Sequence, residues 1–91
     1  MDVTHHPDAQ EFSAELEGHR AVLQYRLRDG VMTIAHTGVP EEIGGHGVAA
    51  ELMRVALETA RANGWKVVPA CAYAEAFMRR HPEHADLLQR V

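Results

Sequence analysis

The sequence predicts an α+β fold with a mixed sheet. An antiparallel three-strand meander leads into a β-α-β crossover, and C-terminal helices close the domain. Three observations predict this. Apolar residues alternate with polar ones from Glu11 to Val39, a loop with three glycines interrupts them, and a helical period begins at Val48. At 91 residues the chain is the size of one domain with a thin core. Hydrophobic residues make up 46% and charged residues 24%, a globular balance that argues against disorder.

Residues 1–10 are polar, contain Pro7 and read as a flexible N-terminal arm before a domain over 11–91. Their His5-His6 pair lacks a third ligand at metal-binding spacing, so a solvated tail is expected and no metal. In the first strand Phe12, Ala14 and Leu16 share one face. Glu17-Gly18 marks a turn, and Ala21, Leu23, Tyr25 and Leu27 then share a face. Asp29-Gly30 is a hairpin signal, because a type I′ turn needs positive φ at both central residues. The third strand runs from Val31 to Val39. Val31, Thr33, Ala35, Thr37 and Val39 fall on one face, with Met32, Ile34 and His36 on the other. Both faces are apolar enough to predict a central strand covered on both sides.

From Val48 to about Asn63, Leu52, Met53, Ala56, Leu57 and Ala60 form an apolar stripe, opposed by charges at Glu51, Arg54, Glu58 and Arg61. Asn63-Gly64 supplies a helix stop. Trp65 to Cys71 reads as a strand parallel to the third, as a crossover through one helix requires. A helix from Tyr73 to Arg80 stops at His81-Pro82, and Pro82 opens a last short segment with Leu87 and Leu88.

The balance of charges limits the partners. Nine Lys+Arg against thirteen Asp+Glu leave a net charge of −4, which argues against nucleic acid or an anionic membrane. One cysteine, Cys71, excludes an intrachain disulfide. No apolar run reaches the roughly 20 residues of a membrane span, and the N-terminus does not read as a signal peptide. A cytoplasmic protein is expected.

Gly44-Gly45-His46-Gly47-Val48-Ala49 ends a strand and opens a helix. Helix N-terminal N–H groups carry positive partial charge, and glycine lets a phosphate approach them. The loop lacks the Lys-Ser/Thr ending of a P-loop, and the antiparallel sheet before it does not suit a dinucleotide fingerprint. Three segments together carry a resemblance: this loop with the preceding His36-Thr37-Gly38-Val39-Pro40, then Lys66-Val67-Val68-Pro69-Ala70-Cys71, then Arg79-Arg80-His81-Pro82-Glu83. Together the chain from Glu11 onward resembles the smallest single-domain branch of the GNAT N-acetyltransferase superfamily. Gly44 stands where that branch has Arg or Gln, His46 stands where it has Gln, and Phe77 stands where larger members often have Tyr.

The resemblance implies a GNAT-like fold and an acetyl-CoA-dependent N-acetyltransferase whose acceptor amine is unread. A protein amine fits an open site in so short a chain, and the molecule would act as a monomer or homodimer. The resemblance implies that the pyrophosphate sits on the N–H groups from Gly45 to Ala49, and that the pantetheine arm pairs with Val39 between the third strand and the Lys66–Cys71 strand. Gly44, His46, Gly47 and Val48 complete that cofactor-binding set, with Tyr73, Arg79 and Arg80 as further contacts.

Two residues are candidates for catalysis. Cys71 is either a nucleophile that takes the acetyl group or a small packing residue. His36 is either a general base or a histidine that anchors the loop. A non-catalytic acyl-CoA-binding or protein-interaction module is the rival reading.

Overall fold

The computed structural model describes residues 1–90. Val91, the last residue of the expected domain, lies outside them. The described residues fold as a five-stranded sheet in the order β1-β2-β3-β4-β5 with two α-helices. The strands are β1 (Val3–His6), β2 (Glu11–Leu16), β3 (His19–Arg28), β4 (Val31–Gly38) and β5 (Lys66–Pro69). The helices are α1 (Val48–Asn63) and α2 (Ala72–Arg80). Three 3-10 helices, Pro7–Ala9, Glu41–Ile43 and Pro82–Leu87, join or close these elements. Neighbours from β1 to β4 pair antiparallel, while β4 and β5 pair parallel around α1. The mixed sheet and crossover are those the sequence predicts. Among the described residues no helix is long and apolar enough to cross a membrane.

The expected flexible arm is corrected first. Val3–His6 is a strand, paired with Ala14 through Glu11, so the meander has four strands rather than three. The two histidines point to opposite sides of it. His5 stacks on Phe12 with ring centroids 4.2 Å apart, and its Nε2 lies 2.6 Å from the Tyr25 hydroxyl. His6 Nε2 instead lies 2.8 Å from Ser13 Oγ. A four-residue strand is too short to show its alternation against the polar background of Asp2, Thr4 and Pro7.

One face of the sheet carries the core. Phe12, Ala14, Ala21, Leu23, Tyr25, Met32, Ile34 and Val67 are buried there. Val48, Leu52, Met53, Ala56, Leu57 and Ala60 of α1, with Ala74, Phe77 and Met78 of α2, complete the same cluster. Burying each large aliphatic side chain contributes about 1.5–3 kcal/mol, so α1 is held mainly by this stripe. The opposite face is open to solvent at Gln24, Arg26 and His36. The expectation that the third strand is covered on both sides is therefore corrected. β4 is interior in the sheet, but its outer face is only half-buried at Val31 and Thr33.

The turn between β3 and β4 has Asp29 at φ 53° and Gly30 at φ 76°, as the Asp-Gly signal requires. The ladder then breaks. Tyr25 pairs with Ile34, but Gln24 pairs with His36, which leaves Ala35 as the extra residue of a β-bulge. Because side chains alternate with period two, one extra residue swaps the faces beyond it. Thr37, opposite buried Leu23, turns to the core side, and His36, opposite Gln24, turns to the open side. The predicted grouping of His36 with Met32 and Ile34 fails at this bulge.

Candidate acyl-CoA site at the β4–β5 divergence

The candidate site lies where two parallel strands part. The β4–β5 ladder runs from Val31↔Lys66 to Ile34↔Pro69 and stops, while β4 continues to Gly38. The Ile34 carbonyl accepts from the N–H groups of both Ala70 and Cys71, at 3.0 and 3.1 Å, which turns the chain away into α2. Ala35 to Gly38 thus lack a β5 partner. A strand edge of this kind offers backbone donors and acceptors to an extended ligand.

Beyond the edge stands the glycine loop. The Gly44 N–H donates to the Glu41 carbonyl at 3.0 Å, so it is used within the loop. Gly45 and Gly47 have φ of 83° and 75°, the left-handed region that other residues rarely adopt. Gly47 is the N-cap of α1 and gives no side-chain cap, so the first-turn N–H groups of the helix are not satisfied by a side chain. A Cβ built at Gly45 or Gly47 meets nothing within 4 Å, so bare backbone faces open space. The cleft here has a volume of about 250 Å³. Val39, Ile43, Gly44, Gly45, Gly47, Val48, Ala49, Ala50 and Tyr73 line it. This is a cradle that fits an anionic phosphate chain.

Cys71 is half-buried and caps α2, its sulfur accepting from the Ala74 N–H at 3.4 Å. Thr37 Oγ1 lies 3.7 Å from the same sulfur. The β-bulge brings that hydroxyl there. Tyr73 projects its ring into the glycine cleft and stays 37% exposed. Partial desolvation pushes the pKa of its phenol above the usual value, with the Arg80 charge acting the other way. The phenol therefore holds its proton at neutral pH and can donate it.

The predicted site residues divide clearly. The structure gathers Val39, the glycines, Val48, Ala49 and Tyr73 around one cleft. His46 is exposed beside the loop and does not line the cleft; its Nε2 lies 4.0 Å from Glu17 Oε2. Arg79 is turned away and pairs with Glu75 at 2.7 Å, whereas Arg80 shares the α2 stripe of Tyr73 and Phe77. His36 and Cys71 lie on opposite sides of β4 and form no thiol–imidazole pair. The His36 ring instead lies along Gly38, whose hypothetical Cβ would come within 2.9 Å of its Nε2. Phe77 faces His81 at a centroid distance of 4.1 Å, away from the glycine cleft. Pattern reading misses Ile43 and Ala50, which also line the cleft, and Thr37, which lies beside Cys71. The alternation that would have flagged Thr37 is broken by the bulge.

A larger hollow of about 850 Å³ lies across β1 and β2, around His6, Ser13, Glu15 and Arg20. It is polar, and it sits on the far edge of the sheet from the divergence. It contains neither a helix terminus nor a thiol, so size alone does not make it the site.

The comparisons with known proteins agree with this fold. The family described as GCN5-related N-acetyl-transferase matches residues 11–87. Protein NATD1 of Mus musculus is 30% identical over 83 residues, covering 88% of this chain and 76% of that protein. Protein NATD1 of Danio rerio is 29% identical over 94 residues, covering 100% of this chain and 84% of that protein. The NMR solution structure of a GCN5-like N-acetyltransferase candidate from Staphylococcus aureus superposes with a TM-score of 0.76 at 26% identity, over 99% of this chain and 89% of that one. The matched segment contains the bulged strand, the glycine loop, α1, Cys71 and α2. The chain belongs to the GCN5-related N-acetyltransferase family.

Proposed function

We propose that this protein transfers an acetyl group from acetyl-CoA to an amine at the β4–β5 divergence. The observation that carries the reading is the uncapped N-terminus of α1 behind Gly45 and Gly47, set beside the unpaired edge of β4. The pyrophosphate is held by N–H groups from Gly45 to Ala49. Backbone of β4 up to Val39 pairs with the pantetheine amides, and the thioester then reaches Thr37 and Cys71.

The two faces of β4 serve different partners. The co-substrate enters on the helix face, and the amine approaches from the open face, where His36 is exposed. His36 takes the proton of the amine as its nitrogen attacks the thioester carbonyl. The C–S bond breaks, and the Tyr73 phenol returns a proton to the leaving thiolate. Tyr73 supplies the hydroxyl that Phe77 lacks. In the covalent variant the Cys71 thiolate attacks the thioester carbonyl first, the acetyl–sulfur bond to CoA breaks and CoA leaves as the thiolate; the amine then attacks S-acetyl-Cys71 and releases the Cys71 thiolate. Partial burial of Cys71 beside Thr37 supports either route.

The open face suits a large acceptor, such as an amine on a protein, which completes the site from outside. The lone unpaired thiol agrees with a reducing cytoplasm. The test combines acetyl-CoA titration with CoA release in the presence of polyamines and lysine peptides, and intact mass after incubation with acetyl-CoA alone. Binding with turnover supports transfer, and a 42 Da gain removed by hydroxylamine or lost in Cys71→Ala supports the covalent route. Tight binding with neither result makes the protein an acyl-CoA-binding module.

A further inference from the structure

Among the described residues, β1 is the strand that places no residue in the fully buried core. Val3 packs against that core from the edge, and His5 and His6 are half-buried. What holds the strand is a pair of imidazoles, one on each face. His5 stacks on Phe12 at 4.2 Å with 7° between the ring planes, and its Nε2 lies 2.6 Å from the Tyr25 hydroxyl. His6 Nε2 lies 2.8 Å from Ser13 Oγ on the other face. The chain beyond is pinned at Gln10. The Gln10 carbonyl accepts from the Tyr25 N–H at 3.0 Å, and its Oε1 accepts from the Leu27 N–H at 2.6 Å. The 3-10 turn Pro7–Ala9 between strand and pin is a hinge with one fixed end.

The surroundings of His5 suit a neutral ring. Phe12 faces it from β2, Tyr25 from β3 with Trp65 a further 6.5 Å on, and His6 adjoins it on β1. No Asp, Glu, Lys or Arg charge acts on it. Burial pushes the Tyr25 phenol up, so that neighbour stays neutral. The carboxylate beside His6 belongs to Glu11, its ladder partner, and is already held by Arg20 at 2.8 Å and Gln24 at 3.2 Å. Burial first, and His6 second, therefore oppose a charge on His5. A proton there sets a cation among aromatic rings with no counter-ion. The charged ring carries only donors, so the Tyr25 hydroxyl can no longer donate to it.

We propose that β1 is an acid-released latch: protonation of His5 frees Val3–His6 from β2 while the rest of the sheet stays folded. The strand swings on Pro7–Ala9, and Gln10 stays bound to β3. Few buried contacts are lost, so the opening is local and costs less than global unfolding. Release bares Phe12 and leaves Glu11–Leu16 as the edge of the sheet, with its backbone groups open to another chain. It also removes Thr4 and His6 from the wall of the 850 Å³ hollow. The β4–β5 divergence lies at the opposite edge and keeps its geometry.

Amide hydrogen exchange of the full chain, read by NMR from about pH 8 to about pH 5 and corrected for the intrinsic pH dependence of exchange, tests this. Protection at Val3 to His6 should be lost toward the acid end, while Ala21 to Leu23 and Met32 to Ile34 keep theirs. The loss should share its midpoint with the titration of the His5 ring, followed by its own imidazole carbon signals. His5→Phe keeps a flat ring against Phe12 and cannot take a proton, so β1 should stay protected throughout. Protection of β1 that survives to about pH 5, or that is absent at every pH, overturns the latch. Simultaneous loss from all strands overturns local release. Acid release that persists in His5→Phe, or that has a midpoint apart from that of the His5 ring, overturns His5 as the trigger. If His5→Phe lacks a cooperative melt, the two midpoints in the wild type decide.

Discussion

The two halves of β4 differ more than any two strands of the sheet. From Val31 to Ile34 the strand is paired on both sides, and Met32 and Ile34 are fully buried. From Ala35 to Gly38 it is paired only with β3, and its residues are exposed or half-buried. The bulge at Ala35 separates the halves. The first half stabilises the fold through side chains. The second offers unpaired backbone, which the proposed function pairs with the co-substrate. That edge is open because the β4–β5 ladder stops four residues before the strand does.

The largest effect expected from breaking this contrast is on stability. Ile34→Ala removes a fully buried side chain from the packed half and should cost about 2–5 kcal/mol in urea unfolding. Gly38→Ala, in the open half, meets only the movable His36 ring and should cost far less. Next in size is the loop. Gly47→Val forces a β-branched residue into the left-handed region at φ 75° and should cost about 1–3 kcal/mol. The same change should weaken acetyl-CoA binding at least tenfold by calorimetry, while circular dichroism keeps its helical signal. In the wild type, acetyl-CoA at a hundredfold excess over Kd should raise stability by about 2.7 kcal/mol. NADH should not.

Smaller effects sharpen the site. Cys71→Ala removes an N-cap acceptor and should cost about 0.5–2 kcal/mol, with Cys71→Ser closer to wild type. Iodoacetamide should label Cys71 in the folded protein, and saturating CoA should protect it. Labelling only after denaturation would make the thiol a packing residue. Arg80→Ala should weaken CoA binding a few-fold and flatten its salt dependence, whereas Arg79→Ala, on the outer side of α2, should leave both unchanged.

The smallest effect comes from the far edge of the sheet. Burial first, and the neighbouring His6 second, lower the pKa of His5 below its ordinary 6.5. The unfolded chain therefore binds the proton more readily than the fold. The stability that neutral His5 contributes is complete above about pH 6.5 and falls as the pH drops below it. The melting temperature should decline across pH 6.5 to 5, and His5→Phe should flatten that decline without changing CoA affinity.

Most of the fold was legible because its signals are local. The stripe from Leu52 to Ala60 and the Asp29-Gly30 turn each announce themselves within a few residues, and α1 has the predicted bounds. The cradle was legible for the same reason, since Gly45 and Gly47 are contiguous with the helix they open. What escaped is non-local. The Ala35 bulge is set by pairing with Gln24 and Tyr25 across the hairpin, and it alone decides that Thr37 meets Cys71 while His36 faces away. Strand β1 escaped because its stability comes from His5 stacking on Phe12 and bonding to Tyr25, contacts that a polar four-residue segment does not advertise.

Amide chemical-shift mapping during CoA titration tests the central contrast most directly. With ¹⁵N-labelled protein, the account predicts the largest shifts at Gly45 to Ala49, at His36 to Val39 and at Cys71 to Tyr73. Val31 to Ile34 and the β1–β2 hollow around Ser13 should stay nearly still. Shifts centred on that hollow, or spread evenly along both halves of β4, would contradict the claim that the unpaired half is the cofactor's partner.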